Sequence, residues 1–274
     1  MEPITADEYD SVVDEWKEWQ SYPWGKLLYS ISRSNIQRHL DNHPIRILDV
    51  GGGNGLNSIY FALQGHSITL LDYSTAMLSE AKKAAEKEGV SCQITFCQAD
   101  AGAIQELFQG QQFDLVLCHL MIEFVPEPRR VLKDICELVA PHGLLSLLDA
   151  NRYSEVYQKA IQTNDLVAAL KAVDTKEYFH PWFSRLTPLF SSVEMIDILQ
   201  ANGCEVVGDY GIRCLCDYLP NEPKYEVEFY QALEQLEHKL TDTYPYNLLA
   251  RFYQVIGRKK PLVSFGNKFG QLYS

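Results

Sequence analysis

The sequence predicts an α/β protein on a doubly wound, mostly parallel seven-stranded sheet. Three observations carry this prediction. Seven short apolar segments of strand character recur along the 274 residues. Helices of about ten to fifteen residues separate most of them. A glycine-rich turn, "GGGNG" at 51–55, follows the first. Strands spaced by helices build right-handed βαβ units, and such sheets hold ligands at the carboxyl ends of their strands, near the topological switch point.

Residues 6–20 (ADEYDSVVDEWKEWQ) read as one amphipathic helix, with Val12, Val13, Trp16 and Trp19 near one face. A second helix spans 26–40 and ends before "DNHP". "IRILDV" is the first strand, and "NSIYFALQG" is a helix closed by Gly65. "SITLLD" is the second strand; Ser74 then caps the helix "TAMLSEAKKAAEKEG", which closes at Gly89. "QITFCQAD" and "FDLVLCHL" are strands three and four, followed by the helix "PRRVLKDICELVA" and strand five, "GLLSLLDA".

Residues 152–190 break the alternation with "RYSEVYQKAIQTNDLVAALKAV" and the aromatic run "EYFHPWFSRLTPLF". That is too long for a connection and reads as a lid or substrate platform. Its Tyr178, Phe179, His180, Trp182 and Phe183 either stack on a base or pack the lid. The pattern resumes with the helix "SSVEMIDILQANG", the strand "CEVVGDYGIRC", a helix over 224–239 and the strand "RFYQVIGRK". The expected organisation is a helical cap (1–43), a cofactor-binding core (44–151), an insertion (152–190), the rest of the sheet (191–260) and a tail (261–274).

At 46% hydrophobic and 22% charged, the composition is that of an ordinary globular protein. No window approaches the ~18 apolar residues of a membrane helix. The acidic start "MEPITADEYD" has no apolar signal region, so a cytoplasmic location is expected. The net charge of −12 disfavours nonspecific nucleic-acid binding. Residues 1–150 hold 11 basic and 21 acidic side chains, whereas 151–274 hold 13 and 15, which leaves room for a local basic surface in the second half. The seven scattered cysteines argue against a disulfide framework. Cys214 and Cys216 fall in a predicted strand, pointing to one face, but further zinc ligands are lacking and no metal is expected.

The turn decides the cofactor class. A dinucleotide fingerprint beginning at Gly51 requires glycine at 56, where Leu56 stands. The sequence instead runs D-x-G-x-G-x-G through Asp49, Gly51, Gly53 and Gly55, with Gly52 as an extra. This resembles motif I of the class I S-adenosylmethionine (SAM)-dependent methyltransferases, which have a Rossmann-like fold. Asp72 ends strand two, where one carboxylate accepts both hydroxyls of a ribose. Tyr73 joins it in the cofactor set. Asp100, after strand three, stands where methyltransferases place an adenine acceptor, with Ala101 offering a backbone N–H. His119 emerges from strand four beside the methionine part of the cofactor, and Glu123 follows.

"LDVGGGNG", "GHSITLLDYSTAMLSEAKKAAEKEGV", "HLMIEFVPEPRRVL", "GLLSLL", "GIRCLCDYL" and "FYQALEQLE" together resemble the bacterial tRNA 5-carboxymethoxyuridine methyltransferases, in register from about residue 24 to 260. The resemblance implies methyl transfer from SAM to the carboxylate of a modified wobble uridine. It places Gly51, Gly52, Asp72, Asp100, Ala101 and His119 at the cofactor. Arg213 is the candidate for gripping the substrate carboxylate through a bidentate pair, or else for an ion pair with Asp217 or Asp209. Asn151 and Tyr153, near strand five, are further substrate candidates. The family's cofactor-contacting arginine in the N-terminal helix is Leu28 here, and its basic insertion is the nearly neutral "DTKEYFHPWFSR".

A carboxylate acceptor is ionised at neutral pH and needs no general base. A phenol or amine requires one, and His119 or a tyrosine is then the candidate. The alternatives are a small-molecule methyltransferase, a non-catalytic cofactor-binding module, and a dinucleotide oxidoreductase, for which the glycine spacing is wrong.

Overall fold

The computed structural model describes residues 4–261. The predicted N-terminal helix is broken into α1 (Ala6–Asp10) and α2 (Val13–Ser21), followed by α3 (Pro23–Gln37). Thr5 and Glu8 cap α1 reciprocally. The break frees Tyr9 to pack its ring against Tyr73, Phe124 and Phe183.

Next come β1 (Arg46–Val50), α4 (Leu56–Ala62), β2 (Ser67–Asp72), α5 (Thr75–Lys87), β3 (Ile94–Gln98) and the short α6 (Ile104–Leu107). The Ser74 hydroxyl accepts from Met77 N–H at 3.0 Å, capping α5 as its sequence indicates. β4 (Phe113–His119), α7 (Pro128–Leu138) and β5 (Val139–Ala150) complete the first half. The second half holds α8 (Ser154–Tyr157), α9 (Leu166–Ala172), β6 (Glu177–His180), β7 (Arg185–Pro188), α10 (Ser192–Ala201), β8 (Cys204–Ile212), α11 (Val227–Leu240) and β9 (Phe252–Lys259).

Seven strands form one sheet in the order β3-β2-β1-β4-β5-β9-β8. All neighbours are parallel except β9, which runs antiparallel to both β5 and β8. The chain winds outward from β1 to β3 and returns to β4 on the other side, so the switch point lies between β1 and β4. One apolar layer packs beneath α7 and α10, through Val131, Ile135, Met195 and Leu199. The other packs beneath α3, α4 and α5, through Ile36, Phe61, Leu78 and Ala81. Each of these side chains larger than alanine contributes roughly 1.5–3 kcal/mol by leaving water.

Within the insertion, the aromatic run of 177–188 forms an antiparallel hairpin, β6–β7, paired Tyr178↔Thr187 and His180↔Arg185. One expectation is corrected. β8 ends at Ile212 because Arg213 takes a left-handed backbone (φ 64). Cys214 and Cys216 therefore lie in the following turn rather than on one strand face.

Glu237, fully buried on α11, holds that turn. One carboxylate oxygen accepts from Cys214 N–H at 2.6 Å, and the other accepts from Leu215 and Cys216 N–H at 2.9 and 2.7 Å. A glutamine offers one oxygen to three donors and points its amide at the rest. Glu237→Gln is expected to lower the unfolding free energy by about 1–3 kcal/mol in urea titrations; an unchanged midpoint would show that the turn stands without it.

Candidate active site

At the switch point a cleft encloses about 1050 Å³ of space, part of it open to solvent. Its floor is the turn after β1. Gly51 and Gly53 have left-handed backbones (φ 69 and 54), which glycine adopts without strain. A Cβ on Gly51 would meet Met121 Cγ at 2.5 Å, and one on Gly52 would meet Leu70 and Asp49 at 2.8–2.9 Å. At Gly53 nothing lies nearer than Met77 Sδ at 3.9 Å, so its backbone is open toward the cleft.

Two buried carboxylates shape this turn. Asp49 accepts from the Ser58 hydroxyl at 2.7 Å. Asp72 accepts from Gly53 N–H at 2.8 Å and Ser74 N–H at 2.9 Å, tying the ends of β1 and β2 together. Burial pushes the pKa of each up to about 6, against the hydrogen bonds that favour the ionised form. Asp100 is exposed at the rim and accepts from Gly102 N–H at 2.6 Å.

The structure brings Asp49, Gly51, Gly52, Gly53, Asp72, Tyr73, Asp100, Ala101 and His119 to the wall of this one cleft. Gly55 is not among the lining residues. It precedes α4 in a left-handed conformation (φ 79), and a Cβ there would meet Ala81 of α5 at 3.1 Å, so its smallness serves helix packing.

His119 lines the cleft without a free ring nitrogen. Nδ1 lies 3.3 Å from the Asn57 amide nitrogen, and Nε2 lies 2.8 Å from Ser146 Oγ. Since Asn57 already accepts from Arg33 Nε at 3.0 Å, its amide donates and Nδ1 accepts. Ser146 is held in turn by Gln254, which also bonds Ser32 O and Asn35. Burial, aided by Arg33, lowers the His119 pKa to about 3. An imidazole whose basicity is lowered this far, and whose accepting nitrogen is already bonded to Asn57, is a poor general base.

Asn151, Tyr153 and Arg213 are not brought to this cleft. The Asn151 amide donates to Leu248 and Ala250 carbonyls, both at 2.9 Å. Tyr153 is 43% exposed, its ring beside the Arg152 guanidinium. Arg213 is 4% exposed, and its Nε and Nη2 grip Asp217 in a bidentate pair. Of the partners open to it, Arg213 takes Asp217.

The N-terminal helices supply what the sequence reading missed. Tyr9, Trp16, Gln20 and Tyr29 line the cleft from above. Gln20 and Asn54 exchange amide hydrogen bonds at 2.6 and 3.2 Å, joining α2 to the glycine turn. Asp10 accepts from Ser74 Oγ and from Ala76 N–H at 3.2 Å. Leu28 lines the cleft, whereas Arg33 turns to α4, donating to Leu56 O at 2.7 Å. The only sequence signal was the tryptophan pair in an otherwise acidic helix.

Trp16, Leu120 and Phe124 also border a second cavity of about 750 Å³. Tyr178, His180 and Trp182 of the hairpin line it, whereas Phe183 is buried against Tyr9 and Phe124 and Phe179 is 61% exposed. Glu123 lies there too, buried beside Asp149; burial and that neighbour hold its pKa well above the carboxylate range. No helix among the described residues is long and apolar enough to cross a membrane.

A doubly wound sheet with an open glycine turn after β1 and a buried carboxylate ending β2 defines a nucleoside-cofactor enzyme of the class I methyltransferase type. Comparison with known proteins makes the assignment specific. Residues 41–192 match a family model described as a methyltransferase domain. The chain is 32% identical over 239 residues to the tRNA 5-carboxymethoxyuridine methyltransferase of Escherichia coli, covering 86% of this chain and 89% of that one. It is 29% identical over 205 residues to a ubiquinone biosynthesis O-methyltransferase of Coxiella burnetii, covering 71% and 85%. The fold aligns with Burkholderia thailandensis 1,6-didemethyltoxoflavin-N1-methyltransferase, solved with S-adenosylhomocysteine, at TM-score 0.59, 18% identity and 93% and 87% coverage. The chain belongs to the class I SAM-dependent methyltransferases, and SAM is its cofactor.

The raised carboxyl of Asp72 has a consequence for stability. Its folded pKa lies above the ordinary 3.8, so between about pH 4 and 6 the folded state holds a proton that the unfolded chain has lost. The stability it contributes is present at low pH and is lost as pH rises through 6. Relative to Asp72→Asn, the wild type is expected to gain roughly 1–3 kcal/mol between pH 7 and pH 4.5 in urea titrations. A pH-independent difference would contradict the shift.

Proposed function

We propose that this methyltransferase acts on tRNA and esterifies the carboxylate of a 5-carboxymethoxyuridine at the wobble position. The observation that carries this reading is the 32% identity to the E. coli tRNA enzyme across nearly the whole of both chains. When bound, SAM supplies a methyl group activated on a sulfonium. The chain's own residues then have to bind, align and exclude water.

In this reading Asp72 accepts the two ribose hydroxyls, since each oxygen keeps a lone pair beyond its backbone hydrogen bond. Asp100 and the Ala101 N–H meet the adenine at the rim, with Tyr73 beside them. The Gly51–Gly53 backbone and His119 would hold the methionine portion, and Asp49 fixes the turn through Ser58. Tyr9 and Trp16 close the cleft over them. The acceptor carboxylate enters ionised and attacks without a base, which suits a site whose histidine is neutral and fully bonded.

A second reading, methylation of a small hydroxylated ring, is favoured by the Coxiella relative and by the Glu123–Asp149 pair. Burial raises the pKa of these two carboxyls, and the neighbouring Asp149 raises that of Glu123 further; a carboxylate of raised basicity is suited to take a proton from a phenol.

The two readings part on one measurement. Nucleoside mass spectrometry of tRNA from cells with and without the gene is expected to show 5-carboxymethoxyuridine accumulating, and its methyl ester lost, in the deletion. Unchanged levels of both would refute the tRNA reading. Calorimetry tests the ribose contact: SAM affinity is expected to fall several-fold from pH 7.5 to 5.5 as Asp72 gains its proton. Constant affinity would remove Asp72 from that role.

A further inference from the structure

The second cavity carries one positively charged side chain among the described residues that line it, Arg251. Sequence position does not distinguish it from Arg213, but hydrogen bonding does. Arg213 spends its Nε–Nη2 edge on Asp217, and its remaining nitrogen, Nη1, is sealed from solvent without a partner. Arg251 is held from the other side. Its Nη1 donates to Glu155 Oε1 at 2.8 Å and to Ser154 Oγ at 3.1 Å. Its Nε and Nη2 make no hydrogen bond among the described residues, and neither is sealed from solvent. The edge with which Arg213 clasps a carboxylate therefore stands open in Arg251, on a side chain 18% exposed at the cavity wall.

Such an edge presents two parallel N–H donors at carboxylate spacing. The pair to Glu155 keeps the guanidinium from swinging away, so little side-chain freedom remains to be lost on binding. Around it stand Trp16, Trp182, His180 and Phe252, walls suited to a flat ring. Glu123 lies on the same cavity with Asp149 beside it; burial raises the pKa of both carboxyls, and Asp149 raises that of Glu123 further, which disfavours two negative charges there. The wall common to both cavities, Trp16, Leu120 and Phe124, places a ring in this space next to the cofactor cleft.

We propose that the Nε–Nη2 edge of Arg251, rather than Arg213, anchors the acceptor's carboxylate and makes the second cavity a subsite for a flat ring bearing that anion. The proposal rests on the carboxylate-methylating reading above. Arg251 is an anchoring residue: it fixes the anion and leaves the methyl donor's site untouched.

The test is variant-free at its first step. Full-length protein saturated with S-adenosylhomocysteine is titrated with 5-carboxymethoxyuridine and, separately, with its methyl ester. The wild type is expected to bind the acid at least tenfold more tightly. Arg251→Ala is expected to erase that preference, and Arg251→Lys to keep part of it, as a charge without a fork. S-adenosylhomocysteine affinity equal to wild type in each variant certifies the fold; if the alanine variant fails this check, the lysine variant and the wild-type comparison decide. Equal binding of acid and ester, binding of neither, or a preference that survives loss of the guanidinium would each overturn the anchor. The tRNA nucleoside measurement is scored apart. A wild type that prefers the acid yet leaves tRNA unmethylated refutes the tRNA reading and retains the anchor.

Discussion

The site depends on one buried carboxylate. Asp72 ends β2 and accepts backbone N–H groups from Gly53 and Ser74, the first belonging to the turn after β1 and the second to the cap of α5. Parallel strands are not joined by a tight hairpin, so their ends need a separate tie. This carboxylate supplies it. The arrangement also carries a cost: burial raises the carboxyl's pKa toward 6, so the folded protein keeps an anion where water would hold it better. Stability given up at a polar position beside a cleft is what the proposed ribose contact of Asp72 would require.

A second layer of contacts converts an open crevice into a bounded one. Open α/β sheets bind ligands at the switch point, but the sheet provides only the floor. Here α1 and α2 provide the roof, pinned by Asp10 to the start of α5 and by Gln20 to Asn54 of the turn. The hairpin β6–β7 then leans on the roof. Phe183 packs on Tyr9, Trp182 on Trp16, and Arg185 pairs with Glu8. Roof and hairpin together enclose the second cavity, which places the switch-point cleft and the aromatic cavity on either side of one wall.

The sequence made the floor legible and left the roof obscure, for physical reasons. Alternating strand and helix periods are local signals, and the seven strands follow from them. Glycine spacing and the carboxylates at positions 49, 72 and 100 are read by their distance from strand ends, again a local property. Tyr9, Trp16 and Gln20 are held at the cleft by contacts that include residues 34 to more than 100 positions away, for which a single sequence holds no signal. Arg213 and Arg251 are the sharpest case. Both adjoin the last two strands at one side of the sheet, and only the fold reveals which one has spent its Nε–Nη2 edge on a neighbour. The predicted C-x-C strand failed at Arg213 too, because a left-handed residue is not announced by an arginine.

The account's central claim is that the two cavities form one reaction space, with the transferable methyl directed at their shared wall. A crystal structure of the protein with S-adenosylhomocysteine tests this most directly. The claim predicts ribose hydroxyls within hydrogen-bonding distance of Asp72 and the sulfur facing Leu120 and Phe124. A ribose bound away from Asp72, or a sulfur turned from that wall, would contradict it.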